Sequence, residues 1–159
     1  MGKHADSNII ANSKDKDGRT PLSLVAERGH EAVVRLLVDQ YDVEPDSKDE
    51  GGQTPLSLAA MYGYDIVVKL LLATGKVNPE AEDTVYGRTP LSWAAAGGHT
   101  TVLKLLLTTD GVGADSKSSS SSDKSWSPLS YAAERGHDAV IELLLATGRV
   151  DPDSKDSEG

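Results

Sequence analysis

The tetrapeptide Thr-Pro-Leu-Ser stands at Thr20–Ser23, Thr54–Ser57 and Thr89–Ser92, and Ser-Pro-Leu-Ser follows at Ser127–Ser130. Successive copies lie 34, 35 and 38 residues apart. A period of this length restricts the chain to repeat architectures, in which one short unit stacks on the next. Each copy is followed by a small-residue segment: "LVAERGH", "LAAMYGY", "WAAAGGH" and "YAAERGH". A leucine-rich segment comes next: "EAVVRLLV", "DIVVKLLL", "TTVLKLLL" and "DAVIELLL". A further element, "DSKD", occurs at Asp46–Asp49 and Asp153–Asp156, with relatives at Asn12–Asp15 and Asp115–Ser118.

The third copy shows what one unit does locally. Thr89 suits an N-cap, and Pro90 suits the first helical position, where a missing N–H costs nothing. Leu91, Trp93, Ala94 and Ala95 extend a two-turn helix. Gly97-Gly98 ends it through the left-handed conformation that glycine adopts cheaply. A second helix is predicted from about Thr100 to Leu107, with Val102, Leu103, Leu105 and Leu106 as a wide apolar face. Gly75, Pro79 and Gly87 mark the stretches between units as extended loops or turns. Two helices this short cannot bury their apolar faces alone. Stacked copies can, and alanine pairs such as Ala94-Ala95 let neighbours approach closely.

Composition fits thin layers of this kind. The 159 residues are 38% hydrophobic with no Phe, two Trp and five Tyr, so a core must come from Leu, Val and Ala. The absence of Cys excludes a disulfide framework, a thiolate zinc site and a cysteine nucleophile, and is compatible with a reducing compartment. The net charge is −9 and the 16 Lys and Arg are scattered, so no nucleic-acid partner is expected. Apolar runs are too short for a bilayer. The start "MGKHADSNII" has no apolar signal-peptide region, and Asp6 stands where N-myristoylation prefers Ser or Thr. No membrane association is expected. The cytoplasm is the expected location, with the nucleus open.

Three of the four histidines share one register. His30, His99 and His137 recur at the repeat period, with Tyr64 in the second copy. A catalytic histidine is not needed three times at a fixed spacing, so the position reads as structural. "HEAVV" at 30–34 also misses the HExxH zinc pattern, because Val34 stands where the second His must be. No nucleophile–base set or metal-ligand spacing with supporting context is present. No catalytic residue, cofactor or metal is expected, and the chain is not read as an enzyme.

"DKDGRTPLSLVAERGHEAVVRLLV", Asp15–Val38, resembles the ankyrin repeat, whose pattern runs D-x-x-G-x-T-P-L-H-x-A-A-x-x-G-H into an apolar helix. Four copies cover about Asp15 to Gly148. The "TPLSWAA…GH" and "LLATGKVNP" wording is similar to large ankyrin arrays of filamentous fungi. The resemblance implies an all-α solenoid of four helix-turn-helix units joined by hairpin loops. Residues 1–14 read as a partial loop and 15–156 as the repeat domain, with units at about 15–48, 49–83, 84–122 and 123–156. Residues 157–159 read as a tail. Ser23, Ser57, Ser92 and Ser130 replace the family's usual His, which is expected to remove one stabilising side-chain hydrogen-bond partner.

The resemblance also implies a protein-binding scaffold that grips partners with its loop tips and concave face. The pairs before Gly-His are Glu27-Arg28, Met61-Tyr62, Ala96-Gly97 and Glu134-Arg135. The tips are Lys16, Asp17 and Arg19; Glu50, Gly51 and Gln53; Val85, Tyr86 and Arg88; and Lys124 and Trp126. Met61, Tyr62, Tyr86 and Arg88 are the residue types that dominate interface energetics, which points to a binding centre in the middle two units. Gln53, Trp126, Arg28 and Arg19 are the further expected partner-binding residues. Trp93 and Tyr131 align with Leu24 and Leu58 and read as packing residues. A structural spacer in a repeat array, with no ligand of its own, is the other reading.

The fourth loop, "GVGADSKSSSSSDKSWSPL", is longer than its counterparts and carries Ser118–Ser122. Ser125 replaces the glycine expected two residues before the Thr-Pro-Leu position, so a mobile loop is expected. The serines read as repeat decay or, alternatively, as a phosphorylated cluster. Polar capping faces are missing from both terminal units. Val140, Ile141, Leu143, Leu144 and Leu145 are as apolar as any internal set, and only Ile9 and Ile10 are available to cover the first layer. A slice of a longer array is inferred, with end-to-end self-association expected through the uncapped terminal repeats.

Overall fold

The computed structural model describes residues 10–119 and 125–153. Among the described residues there are eight complete helices and no strand, in four successive pairs. These are α1 Pro21–Glu27 and α2 Glu31–Gln40; α3 Pro55–Tyr62 and α4 Asp65–Ala73; α5 Pro90–Gly97 and α6 Thr100–Leu107; α7 Pro128–Arg135 and α8 Asp138–Ala146. The pairs are called units 1 to 4. Within the segment read as a partial N-terminal loop, Ile10 and Ala11 are helical and Ala11 is buried. The tail at 157–159 lies outside the described residues.

Each first helix begins the same way. The hydroxyl of Thr20, Thr54, Thr89 or Ser127 accepts the backbone N–H three residues on, and proline occupies the first turn. The serine at that third position corrects the sequence-based expectation. Ser23, Ser57, Ser92 and Ser130 each hydrogen-bond the cap hydroxyl through their own Oγ, at 3.0, 3.1, 3.2 and 3.2 Å. A hydroxyl reaches the cap oxygen as well as an imidazole would, so the side-chain hydrogen bond is kept. A cap of this kind contributes on the order of 1 kcal/mol.

The first helices form one layer and the second helices another, each helix packing on its counterpart in the next unit. The first-helix layer is drawn close by Ala26, Ala60 and Ala95, which are fully buried. Leu56, Leu71, Leu91, Leu103 and Leu106 fill the space between layers. Burial of each such leucine is worth about 1.5–3 kcal/mol.

Neighbouring units are also interlocked by their turns. His99 Nε2 lies 3.0 Å from the Met61 carbonyl oxygen, and His137 Nε2 lies 3.0 Å from that of Ala96. Each ring sits on the glycine of the preceding unit. A Cβ at Gly63 would come within 2.5 Å of His99, and one at Gly98 within 2.8 Å of His137. Tyr64 covers Gly29 in the same manner. The "DSKD" lysines form a second ladder: Lys14 Nζ donates to the Lys48 carbonyl at 2.7 Å, and Lys48 Nζ to that of Glu82 at 3.0 Å. The hairpins join directly as well, through Glu50 N–H to Asp17 O and Thr84 N–H to Gly51 O.

Both ends of the stack expose apolar side chains. Val33 of α2 is 41% exposed, whereas its counterparts Val67, Val102 and Val140 are buried. Leu145 of α8 is 43% exposed, and Ile10 does not cover the first layer, being 69% exposed itself. No helix of the described residues is long and apolar enough to cross a membrane.

Candidate functional site

Each hairpin contributes one side chain just before its cap, and each first helix contributes one four residues after that cap. These rows are Arg19, Gln53, Arg88, Trp126 and Leu24, Leu58, Trp93, Tyr131. In units 1 and 2 the rows are polar and aliphatic. In units 3 and 4 they turn aromatic, with Trp93, Trp126 and Tyr131 beside Arg88.

A single carboxylate organises the third hairpin. Asp83 is buried, and its Oδ1 accepts the N–H of Val85 at 3.0 Å and of Tyr86 at 2.6 Å. Its Oδ2 accepts the Arg88 N–H at 3.2 Å and the Trp93 indole N–H at 3.1 Å. Tyr86, Arg88 and Trp93 are thereby fixed relative to one another. The Arg88 guanidinium carbon lies 4.5 Å from the Tyr86 ring centroid, 4.6 Å from that of Trp93 and 4.4 Å from that of Tyr131. Tyr86 meets Trp93 edge to face at 6.2 Å, and Trp126 meets Tyr131 at 5.4 Å. The result is a continuous aromatic surface held around one cation and spanning units 3 and 4. Tyr86 is 43% exposed, Trp93 and Trp126 are half-buried, and Tyr131 forms the buried floor.

The candidate residues therefore divide between two places. Met61 and Tyr62 close α3 at its far end from the hairpins, about 12 Å along an eight-residue helix. There Tyr62 faces Tyr64 at 6.3 Å, and the Met61 carbonyl is taken by His99. Arg28 is exposed at the equivalent turn of unit 1, and Ala96 is buried with its carbonyl bonded to His137. Gln53 is half-buried, and its N–H donates to Asp49 Oδ1 at 2.8 Å. Arg19 is paired within its own hairpin to Asp15 at 3.0 Å and Asp17 at 2.9 Å. The hydrogen bond from the Arg19 amide, with the guanidinium beside it, holds the Asp15 carboxyl below the usual aspartate range. Lys124 lies outside the described residues.

Two features were missed from sequence. One is the linking role of Asp83, although Asp15, Asp49 and Asp83 recur at the same place and each accept loop amides. The other is its loss in unit 4. Ser118 occupies that position, keeps the backbone bond to Trp126 O at 3.0 Å, and has a buried hydroxyl without a hydrogen-bond partner among the described residues. Residues 120–124 of the serine loop lie outside the described residues. No group of three or more His, Asp or Glu side chains that could hold a metal ion occurs among the described residues. The surface offers stacking, apolar contact and hydrogen bonding, which is the chemistry of recognition.

The family model described as ankyrin repeats in three copies matches residues 3–83 and again residues 67–156. A search of curated proteins finds no match.

Proposed function

The chain belongs to the ankyrin repeat family, and from that premise we propose that it recognises a protein partner through the face lined by its hairpins and first helices, without catalysis. Ankyrin repeats are generally protein–protein interaction modules. The observation that carries the reading here is the aromatic surface of Tyr86, Trp93 and Tyr131 around Arg88, extended by Trp126 against Tyr131. Aromatic and arginine side chains supply most interface hot spots. Groups already held in place lose less freedom on binding, as the Trp93 indole and the backbone at Tyr86 and Arg88 are by Asp83. The centre thus sits on units 3 and 4, with Met61 and Tyr62 as a separate contact at the turn of unit 2.

The proposal places the chain in the cytoplasm as one stretch of an ankyrin array. The wording of "TPLSWAA…GH" and "LLATGKVNP" supports the array, and the lack of Cys is compatible with a reducing compartment. A spacer would use the same stacking only as packing between units 3 and 4, and one experiment separates the two. A partner isolated on the native chain is offered to a folded Tyr86→Ala, Trp126→Ala double variant. Loss of affinity of about tenfold or more is expected. Undiminished capture would contradict the proposal and favour the spacer.

A further inference from the structure

We infer that the second-helix layer carries a further docking site, a groove between units 3 and 4 that takes a short acidic segment of a partner protein with an apolar anchor residue. It lies apart from the aromatic surface, which is built on the hairpins and first helices.

The groove encloses ≈ 420 Å³ between α6 and α8. Leu107, Leu143 and Ala146 give it an apolar lining. Two cations, Lys104 and Arg149, share it, and no carboxylate lines it among the described residues. Arg149 is held in place: its backbone N–H donates to Thr147 Oγ1 at 3.1 Å and its guanidinium to the Val112 carbonyl at 2.7 Å. Lys104 is exposed. Neither cation has an ion-pair partner among the described residues.

The other joins set this groove apart. In the same register between units 1 and 2 lies a groove of ≈ 330 Å³, with Arg35 and Lys76 in place of Lys104 and Arg149. There Asp39 stands where the later groove has Thr108, and Asp42 Oδ1 lies 3.8 Å from Lys76 Nζ. Its cations are balanced from within the chain. Between units 2 and 3, Gly111 takes the register of Lys76 and Arg149, so one cation is missing. Among the described residues, the groove of units 3 and 4 alone keeps both cations and leaves them without a carboxylate. An apolar lining beside two uncompensated cations complements a leucine-sized side chain flanked by Asp or Glu. The net charge of −9 disfavours an extended polyanion such as nucleic acid, so the fit is to a short segment. The site lies inside the stack, and a further unit at either end would leave it open, as unit 3 leaves the groove of units 1 and 2.

An NMR amide-shift titration of the full chain tests this with the end-blocked peptide Glu-Glu-Leu-Leu-Glu-Glu. Amides of 104–108 and 143–149 are expected to shift, and those lining the groove of units 1 and 2 to stay in place. Replacing the peptide's glutamates by glutamine should weaken binding about tenfold, and so should Lys104→Glu or Thr108→Asp in the chain. Thr108→Asp gives this groove the carboxylate that Asp39 supplies to the other. Both substituted positions are exposed, and unchanged shifts in units 1 and 2 report an intact stack. No shift at the groove, equal binding of the glutamine peptide, or undiminished binding by the two variants would overturn the inference. Decanoate that shifts these amides where the peptide does not would also overturn it, marking a site for an anionic amphiphile instead. The capture experiment on Tyr86 and Trp126 reads the other layer, so the two failures are distinguishable.

Discussion

Gly98 and Gly136 have the same left-handed backbone, with φ of +74° and +69°, and differ only in what stands above them. His137 rests on Gly98 and is held there by its bond to Ala96, whereas nothing among the described residues lies within 4 Å of a Cβ at Gly136. Gly136→Ala should cost the backbone strain alone, about 1 kcal/mol. Gly98→Ala adds the displacement of a hydrogen-bonded ring and should cost about 3 kcal/mol. Urea denaturation of both variants in dilute solution checks the difference; equal losses would mean the His137 contact carries no energy. The histidine register was legible in the sequence as structural because it recurred. Its partner was not, since a carbonyl acceptor leaves no trace in residue type.

Among the elements, the four capped helices were the most legible. Threonine or serine, proline and the closing glycine each have a local physical reason, and every first helix begins as they dictate. The hairpins were harder to read, because a short loop is held by one side chain reaching several amides. The fourth hairpin has lost two of its holds. Ser118 stands in for the amide-binding aspartate, and Ser125 adopts φ +53° where Gly18, Gly52 and Gly87 supply the left-handed residue. Ser125→Gly should relieve that strain and stabilise the chain by about 1 kcal/mol. A rise in the urea midpoint at unchanged slope is the expected sign, and an unchanged midpoint would show that the hairpin tolerates serine without cost.

Over the whole molecule, the period dictates the architecture, because thin units must stack to bury anything. The candidate site was only partly legible. Tyr86, Arg88 and Trp126 are singled out by residue type; Tyr86 and Arg88 meet, and Trp126 joins them through Tyr131, but Met61 and Tyr62 lie at the other end of a helix. Trp93 and Tyr131 read as packing residues, and Tyr131 is indeed the buried floor. The half-exposed Trp93 also completes the surface, stacked with Arg88 of its own unit, and Tyr131 reaches Arg88 only once units 3 and 4 are stacked.

Four units are held by one repeated join. Hydrogen exchange of the native chain, followed by mass spectrometry at low concentration, tests it most directly. In such a stack, units covered on both sides open least often. The slowest exchange should therefore fall in α3 and α5, with α1, α2 and α8 exchanging faster. Uniform protection across the four units, or the strongest protection in unit 1 or unit 4, would contradict it.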